Sequence, residues 1–200
     1  MLNSLLLSTG GAILIVVGIL ALLGIIFAIW WISTRNDFVR LKNRVEEGWA
    51  TIDVFLKKRF DLIPNLVETV KGYTKHESET LQNVIAARNM GANAATRDQV
   101  MQADKAMTSS LRTLFTAVSE SYPDLKANSS FLDLQSQLKN IESELESSRR
   151  YYNGVVKMFN TKLELFPANI VGKRMGEGYE RKTYFELDSA EERKNVKVSF

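Results

Sequence analysis

The chain has 200 residues, with 26 Lys+Arg against 23 Asp+Glu, one His and no Cys. Without cysteine there is no disulfide framework, thiolate zinc site, iron–sulfur centre or thiol catalysis, and a lone histidine excludes any site that needs two imidazoles. Every charged side chain lies at or after Arg35, so the chain divides into an apolar leader and a charge-rich body.

In the leader, residues 12–32 read AILIVVGILALLGIIFAIWWI, 21 residues without a polar side chain apart from the indole nitrogens. At 1.5 Å per residue they extend about 31 Å as a helix, which matches a hydrocarbon core of about 30 Å. Trp30 and Trp31 close the run, where amphipathic rings favour the headgroup region. A cleaved signal peptide would need a basic start, a shorter apolar core and small residues at the cleavage point. Residues 1–11 hold no Lys or Arg, and Trp30-Trp31-Ile32 is bulky, so an uncleaved transmembrane helix is the better reading. Arg35, Arg40, Lys42 and Arg44 follow the run, and the positive-inside rule then puts residues 1–11 outside and the body in the cytoplasm. Trp30, Trp31 and Arg35 are the expected membrane-interface anchors. The spacing Gly24-x-x-x-Ala28 would let two spanning helices approach closely.

Helical periodicity governs the body. Phe38, Leu41, Val45, Ile52 and Phe55 recur at steps of three, four or seven, with Gly48 at the skipped position, and the phase continues through Leu62, Leu66 and Tyr73. Pro64 lies inside this stripe; because the phase does not reset, a kinked continuous helix ending near Gly91 is expected, a corner between two helices being the alternative. GANAAT (91–96) reads as a turn. A second helix follows from about Thr96 to Tyr122, with Val100, Met107, Leu111, Leu114 and Val118 on one side and Pro123 as its stop. Ser130 and Asp133 resemble a capping box at the start of a third. Its apolar seam steps by three or four throughout: Phe131, Leu134, Leu138, Ile141, Leu145, Ser148, Tyr152, Val155, Phe159, Leu163 and Phe166, before Pro167. The fold class is therefore all-α, an N-terminal transmembrane helix (12–32) followed by a long antiparallel bundle (33–166), of three helices or of four if Pro64 makes a corner. Residues 167–200 form a C-terminal extension, in which TYFEL (183–187) and VKVSF (196–200) alternate like strands.

No catalytic or cofactor site emerges. His76 begins HESET, but Thr80 stands where a zincin helix needs its second histidine, and Tyr73 stands where a di-iron bundle needs a glutamate. Lys57-Lys58-Arg59 reads as a solvated helix face, and no basic stripe with interleaved aromatics marks a nucleic-acid site. Glu142, Glu144 and Glu146 precede Arg149 and Arg150, and Glu146–Arg150 has the spacing of a surface helix pair. GKRMGEG (172–178) lacks the spacing of a phosphate loop. The expected object is a non-enzyme without metal or cofactor, a membrane-tethered helical scaffold that self-associates or presents its bundle to other envelope proteins.

WATIDVFLKKRFDLIPNLVETVKGYTKHE (49–77) resembles the LemA family of bacterial membrane-anchored proteins. YPDLKANSSFLDLQ (122–135), RRYYNGVVKMFNTKLELFP (149–167) and YFE (184–186) match its later blocks in order. Phe159-Asn160 departs from the Tyr-Asn more usual there, which removes a hydroxyl from the seam. The resemblance implies a helical bundle on a single span in the bacterial cytoplasmic membrane. It brings no enzyme activity with it. Gene neighbours of the HtpX protease type or with TPM domains imply partners in envelope maintenance, and with them a rival role as regulatory adaptor of a membrane protease or stress pathway.

Overall fold

An uncharged apolar run that passes directly into a three/four-spaced amphipathic stripe gives a chain no reason to leave the helix between them. In the computed structural model of the protein, which describes residues 2–73 and 79–185 and side chains from residue 11 onward, α1 accordingly runs from Leu2 to Lys71 without a break. It continues through Pro64, which faces outward. The remaining helices are α2 (Glu79–Ala92), α3 (Arg97–Ser121), α4 (Pro123–Lys126), α5 (Ser129–Glu164) and α6 (Ala168–Lys173). His76, VKVSF (196–200) and the last two residues of TYFEL (183–187) lie outside the described residues. The described residues hold no strand.

Three expectations are corrected. The first body helix ends at Lys71 rather than near Gly91, so the bundle has four long helices, divided after Lys71 and not at Pro64. Gly72 follows at once; glycine costs about 1 kcal/mol relative to alanine inside a helix and favours an end there, with Lys71 facing the negative end of the helix dipole. Gly91, taken as part of a turn, is helical and sits where a Cβ would strike the buried ring of Phe60, so it serves close contact between α2 and α1. At α5 the backbone N–H of Phe131 donates to Asn128 Oδ1 at 3.0 Å, so Asn128, not Ser130, supplies the cap. Thr96, by contrast, closes a true capping box on α3, accepting from Gln99 N–H while Gln99 Oε1 accepts from Thr96 N–H.

Two compact units emerge, Met1–Val45 with Val155–Thr183, and Glu46–Gly154 with Tyr184–Phe200. In the second, residues 46–71 of α1 meet α2 at Phe60–Gly91, α3 at Arg59–Asp104 and α5 at Gly48–Tyr152. Glu46–Arg97 with Arg59–Asp104 sets α3 parallel to α1, Asp104–Arg149 with Phe115–Phe131 sets α5 antiparallel to α3, and the short link after Ala92 turns α2 against α3, which together make an up-down-up-down bundle. Its core holds Ile52, Leu56, Ile63, Leu66, Leu81, Val84, Met107, Leu111, Leu114, Leu138, Leu145 and Tyr152, all buried. Leu125, fully buried, pins α4 across the link from α3 to α5.

In the first unit, residues 155–164 of α5 run antiparallel to α1. Phe38 meets Phe159 edge-on with ring centroids 6.1 Å apart, and Lys162 Nζ donates to Asp37 Oδ2 at 2.7 Å. The seam predicted on α5 is buried from Phe131 to Phe159, is half-buried at Ile141 and Leu163, and ends there: α5 stops at Glu164, which leaves Phe166 80 % exposed. α6 then folds back on α1, with Val171 and Gly172 buried and a Gly172 Cβ position within 3.0 Å of both Leu163 and Phe38. Residues 12–29 are exposed throughout, and among the described residues α1 is the one helix long and apolar enough to cross a membrane.

Replacing Gly91 with alanine sets a gain in helix propensity of about 1 kcal/mol against overpacking on Phe60 of about 1–3 kcal/mol. Chemical denaturation is expected to show a net loss of about 1 kcal/mol, whereas the same change at Gly154, where a Cβ meets nothing, is expected to be neutral or stabilising.

Candidate functional site

Two features stand out from an ordinary bundle: the aromatic end of the apolar run in the first unit and a charged layer within the second. At the first, Phe27, Trp30 and Trp31 form an aromatic cluster, with Trp30 and Trp31 6.3 Å apart at 70° and Phe27 5.6 and 6.0 Å from them. Both indoles are half-buried, unlike the exposed residues that precede them, and the guanidinium of Arg174 lies 6.0 Å from the Trp31 ring. Phe27, Ala28, Trp31, Ile32 and Arg174 line a recess of about 450 Å³. Gly24 borders open space, and Arg35 is exposed. Thus Trp31 and Ala28 meet at one recess to which sequence reasoning had not assigned Arg174.

The charged layer interrupts the core of the second unit. Arg59 on α1, Asp104 on α3 and Arg149 on α5 have side chains only 5 %, 5 % and 7 % exposed. Arg59 Nη1 donates to Asp104 Oδ1 at 2.8 Å, and Arg149 Nη2 donates to Asp104 Oδ2 at 2.5 Å. Arg149 Nη1 donates to Glu142 Oε1 at 3.1 Å, and Glu142 Oε2 lies 2.9 Å from Arg59 Nη1, an ion pair off the hydrogen-bond direction. Two guanidiniums and two carboxylates therefore alternate in a closed ring of zero formal charge. Its composition explains its place, since arginine's planar fork can bridge two carboxylates at once.

This ring corrects the reading of Arg59 as part of a solvated basic run. Lys57 and Lys58 are exposed, but Arg59 is 4 % exposed and occupies the seam position skipped between Phe55 and Leu62. Asp104 likewise fills the seven-residue gap between Val100 and Met107 on α3. The Glu146–Arg150 pair is exposed and formed at its helical spacing, whereas Arg149 and Glu142 belong to the ring. No group of three His, Cys, Asp or Glu that would suit a metal ion occurs among the described residues.

Asparagines hold the C-terminal segment. Asn153 exchanges two hydrogen bonds with the backbone of Phe185, at 2.8 and 2.9 Å. Asn160 makes the same exchange with Lys182, at 2.9 and 2.9 Å. Each primary amide takes the part of a neighbouring strand, so Phe185, expected in a strand, is bound without one. Its ring is buried, 6.1 Å from Trp49 and beneath the Arg149 guanidinium at 5.0 Å. Trp49 also meets Tyr152 edge-on, with the Arg97 guanidinium 4.9 Å from its ring.

The two buried or bridged aspartates titrate in opposite directions. Burial raises the Asp104 carboxyl above 3.8, against the lowering effect of Arg149 and Arg59. Hydrogen bonds from Lys162 and then Arg40 lower Asp37 below 3.8. Asp104 binds its proton more readily in the native state, so its contribution to stability falls as pH rises from 3.8 through its native midpoint. Asp37 contributes stability above 3.8 that is lost as pH falls through its lower midpoint. Carboxyl NMR titration of the two is expected to place Asp37 below and Asp104 above 3.8.

The blocks that carry these side chains are those shared with known proteins. The chain matches the LemA family over residues 48–200. It is 25 % identical over 150 residues to Protein LemA of Metamycoplasma hominis, an alignment covering 75 % of this chain and 68 % of that protein. Arg59, Asp104, Glu142, Arg149, Asn153 and Asn160 all fall inside the matched region, and with most of its length so covered, the chain belongs to the LemA family.

Proposed function

We propose that the protein is a membrane-anchored helical scaffold without catalytic activity. It sits in the bacterial cytoplasmic membrane with residues 1–11 outside and the bundle in the cytoplasm. The carrying observation is the continuity of α1: the helix whose apolar residues 12–29 are exposed also supplies Phe38 and Val45 to the buried core of the first unit. A span that passes into packed helix without a linker suits a protein held at the bilayer rather than one that releases a mobile domain. Arg35, Arg40, Lys42 and Arg44 beside the span support the orientation.

Crosslinking in native membranes followed by sizing and partner identification tests the reading. Higher-order species containing several copies, or several envelope proteins captured together, are the expected result. A strictly monomeric, unpartnered protein would overturn it, and one stoichiometric protease partner whose substrate turnover changes on deletion would replace the scaffold by a regulatory adaptor.

A further inference from the structure

Beyond the span, the first unit exposes a second apolar surface. Leu165 is 58 %, Phe166 80 % and Ile170 46 % exposed, a grouping with no cover from the described residues. Lys173 and Arg174, both exposed, follow Ile170 at helical steps of three and four. The opposite side of α6 is the buried one, where Val171 is buried and Gly172 packs against Phe38 and Leu163. α6 is thus a short amphipathic element whose free face combines large apolar side chains with cations.

Its level along α1 can be read from named contacts. The Lys162–Asp37 bond places residue 162 of α5 opposite residue 37. Because α5 runs toward the start of α1, its last residue, Glu164, lies opposite residue 35, about 3 Å closer to the span than Lys162, and Leu165 and Phe166 follow it directly. Gly172 meets Phe38, about 9 Å by helix rise from Ile32, and Arg174 reaches the Trp31 ring. Everything in the patch therefore falls within the 5–10 Å depth over which interfacial helices engage headgroups and upper acyl chains.

Resting on the reading of residues 12–32 as a span, we propose that Leu165–Arg174 is a second, monotopic membrane contact: Leu165, Phe166 and Ile170 insert below the headgroups of an anionic bilayer surface, while Lys173 and Arg174 bind its phosphates. Charge complementarity and continuity with the span select lipid over a second copy as the occupant. The arrangement gives the first unit two points of membrane attachment, one crossing the bilayer and one lying in its surface.

The absence of native cysteine allows a direct test on the full chain. Single variants Phe166→Cys, Leu20→Cys and Glu144→Cys, each at an exposed position, are labelled with an environment-sensitive fluorophore and reconstituted in vesicles of equal parts phosphatidylcholine and phosphatidylglycerol. Lipids spin-labelled just below the headgroup are expected to quench the label at 166 at least about twofold more than that at 144. Lipids labelled deep in the chain should quench the label at 20 most. A label at 166 that stays unquenched while that at 20 is quenched overturns the surface contact and leaves the span intact. Labels unquenched at both positions overturn the span and the contact together. A blue-shifted but unquenched label at 166 means that a second copy covers the patch, and also overturns the proposal. In the Lys173→Gln/Arg174→Gln double variant, quenching at 166 is expected to fall about twofold; no change would remove the phosphate contact.

Discussion

Replacing Asp104 with alanine is expected to lower the free energy of unfolding by about 3–5 kcal/mol, the largest loss expected from any single polar substitution among the described residues. The carboxylate is the one member of the ring that accepts from both buried guanidiniums. Without it, Arg59 and Arg149 keep their positive charges in a region closed to water and share only Glu142, whose side chain is 39 % exposed. The cost thus comes from the charges left behind rather than from the two hydrogen bonds removed. The raised titration of Asp104 carries the complementary message, since it shows the ionised carboxylate losing more by burial than its partners return. Exchanging all three buried members for apolar residues of similar volume (Arg59→Met, Asp104→Leu, Arg149→Met) is therefore expected to cost little or to stabilise by about 1–4 kcal/mol. Equilibrium denaturation of the single and triple variants in one detergent separates the cases. A triple variant as weak as the single one would mean that the ring stabilises the fold outright.

The second large effect concerns the span. Residues 12–32 contain fourteen Ile, Leu, Val or Phe side chains, worth together about 4–8 kcal/mol toward insertion. An arginine near the bilayer centre costs about 2.5–3.5 kcal/mol, so Leu20→Arg alone leaves insertion favourable, whereas Leu20→Arg with Leu23→Arg brings the balance to about zero. Alkaline carbonate removes surface-bound proteins but not spanning ones. Under it, the single variant is expected to remain in the membrane pellet and the double variant to move largely to the supernatant. Release of the unsubstituted chain by carbonate would show that these residues do not cross the bilayer.

Much of the fold could be read from spacing alone. The α5 seam is buried from Phe131 to Phe159 because a three/four step over many turns admits no other helical register. The start of α3 was legible from the small, polar residues that lead to Thr96, and the structure adds the capping box that Thr96 makes with Gln99. The end of α1 was not, because the apolar phase runs through Gly72 unchanged and only local propensity marks the stop. The ionic ring escaped because charge on a helix ordinarily faces water. Its trace was a pair of holes, one at Arg59 in the α1 stripe and one at Asp104 in the α3 stripe, each leaving a seven-residue step. Two helices with a charged residue at the skipped seam position, of opposite sign, constitute a signal that a search for catalytic motifs passes over. Asn153 and Asn160 left a fainter one: each directly follows a seam aromatic, where an amide can reach past the core edge to the backbone of another segment.

The ring also has an order of assembly written into the chain. Asp104 follows Arg59 by 45 residues, and Arg149 follows Asp104 by another 45, so its members leave the ribosome one helix at a time. Once α1 and α3 exist, the carboxylate has one guanidinium and an open flank, and water must fill the place that Arg149 will take. Docking of α5 expels that water and brings Glu142 with Arg149 in a single event. A nascent chain halted before α5 would thus hold a single Arg59–Asp104 pair open on one flank, and closure of the ring waits for the last long helix of the bundle.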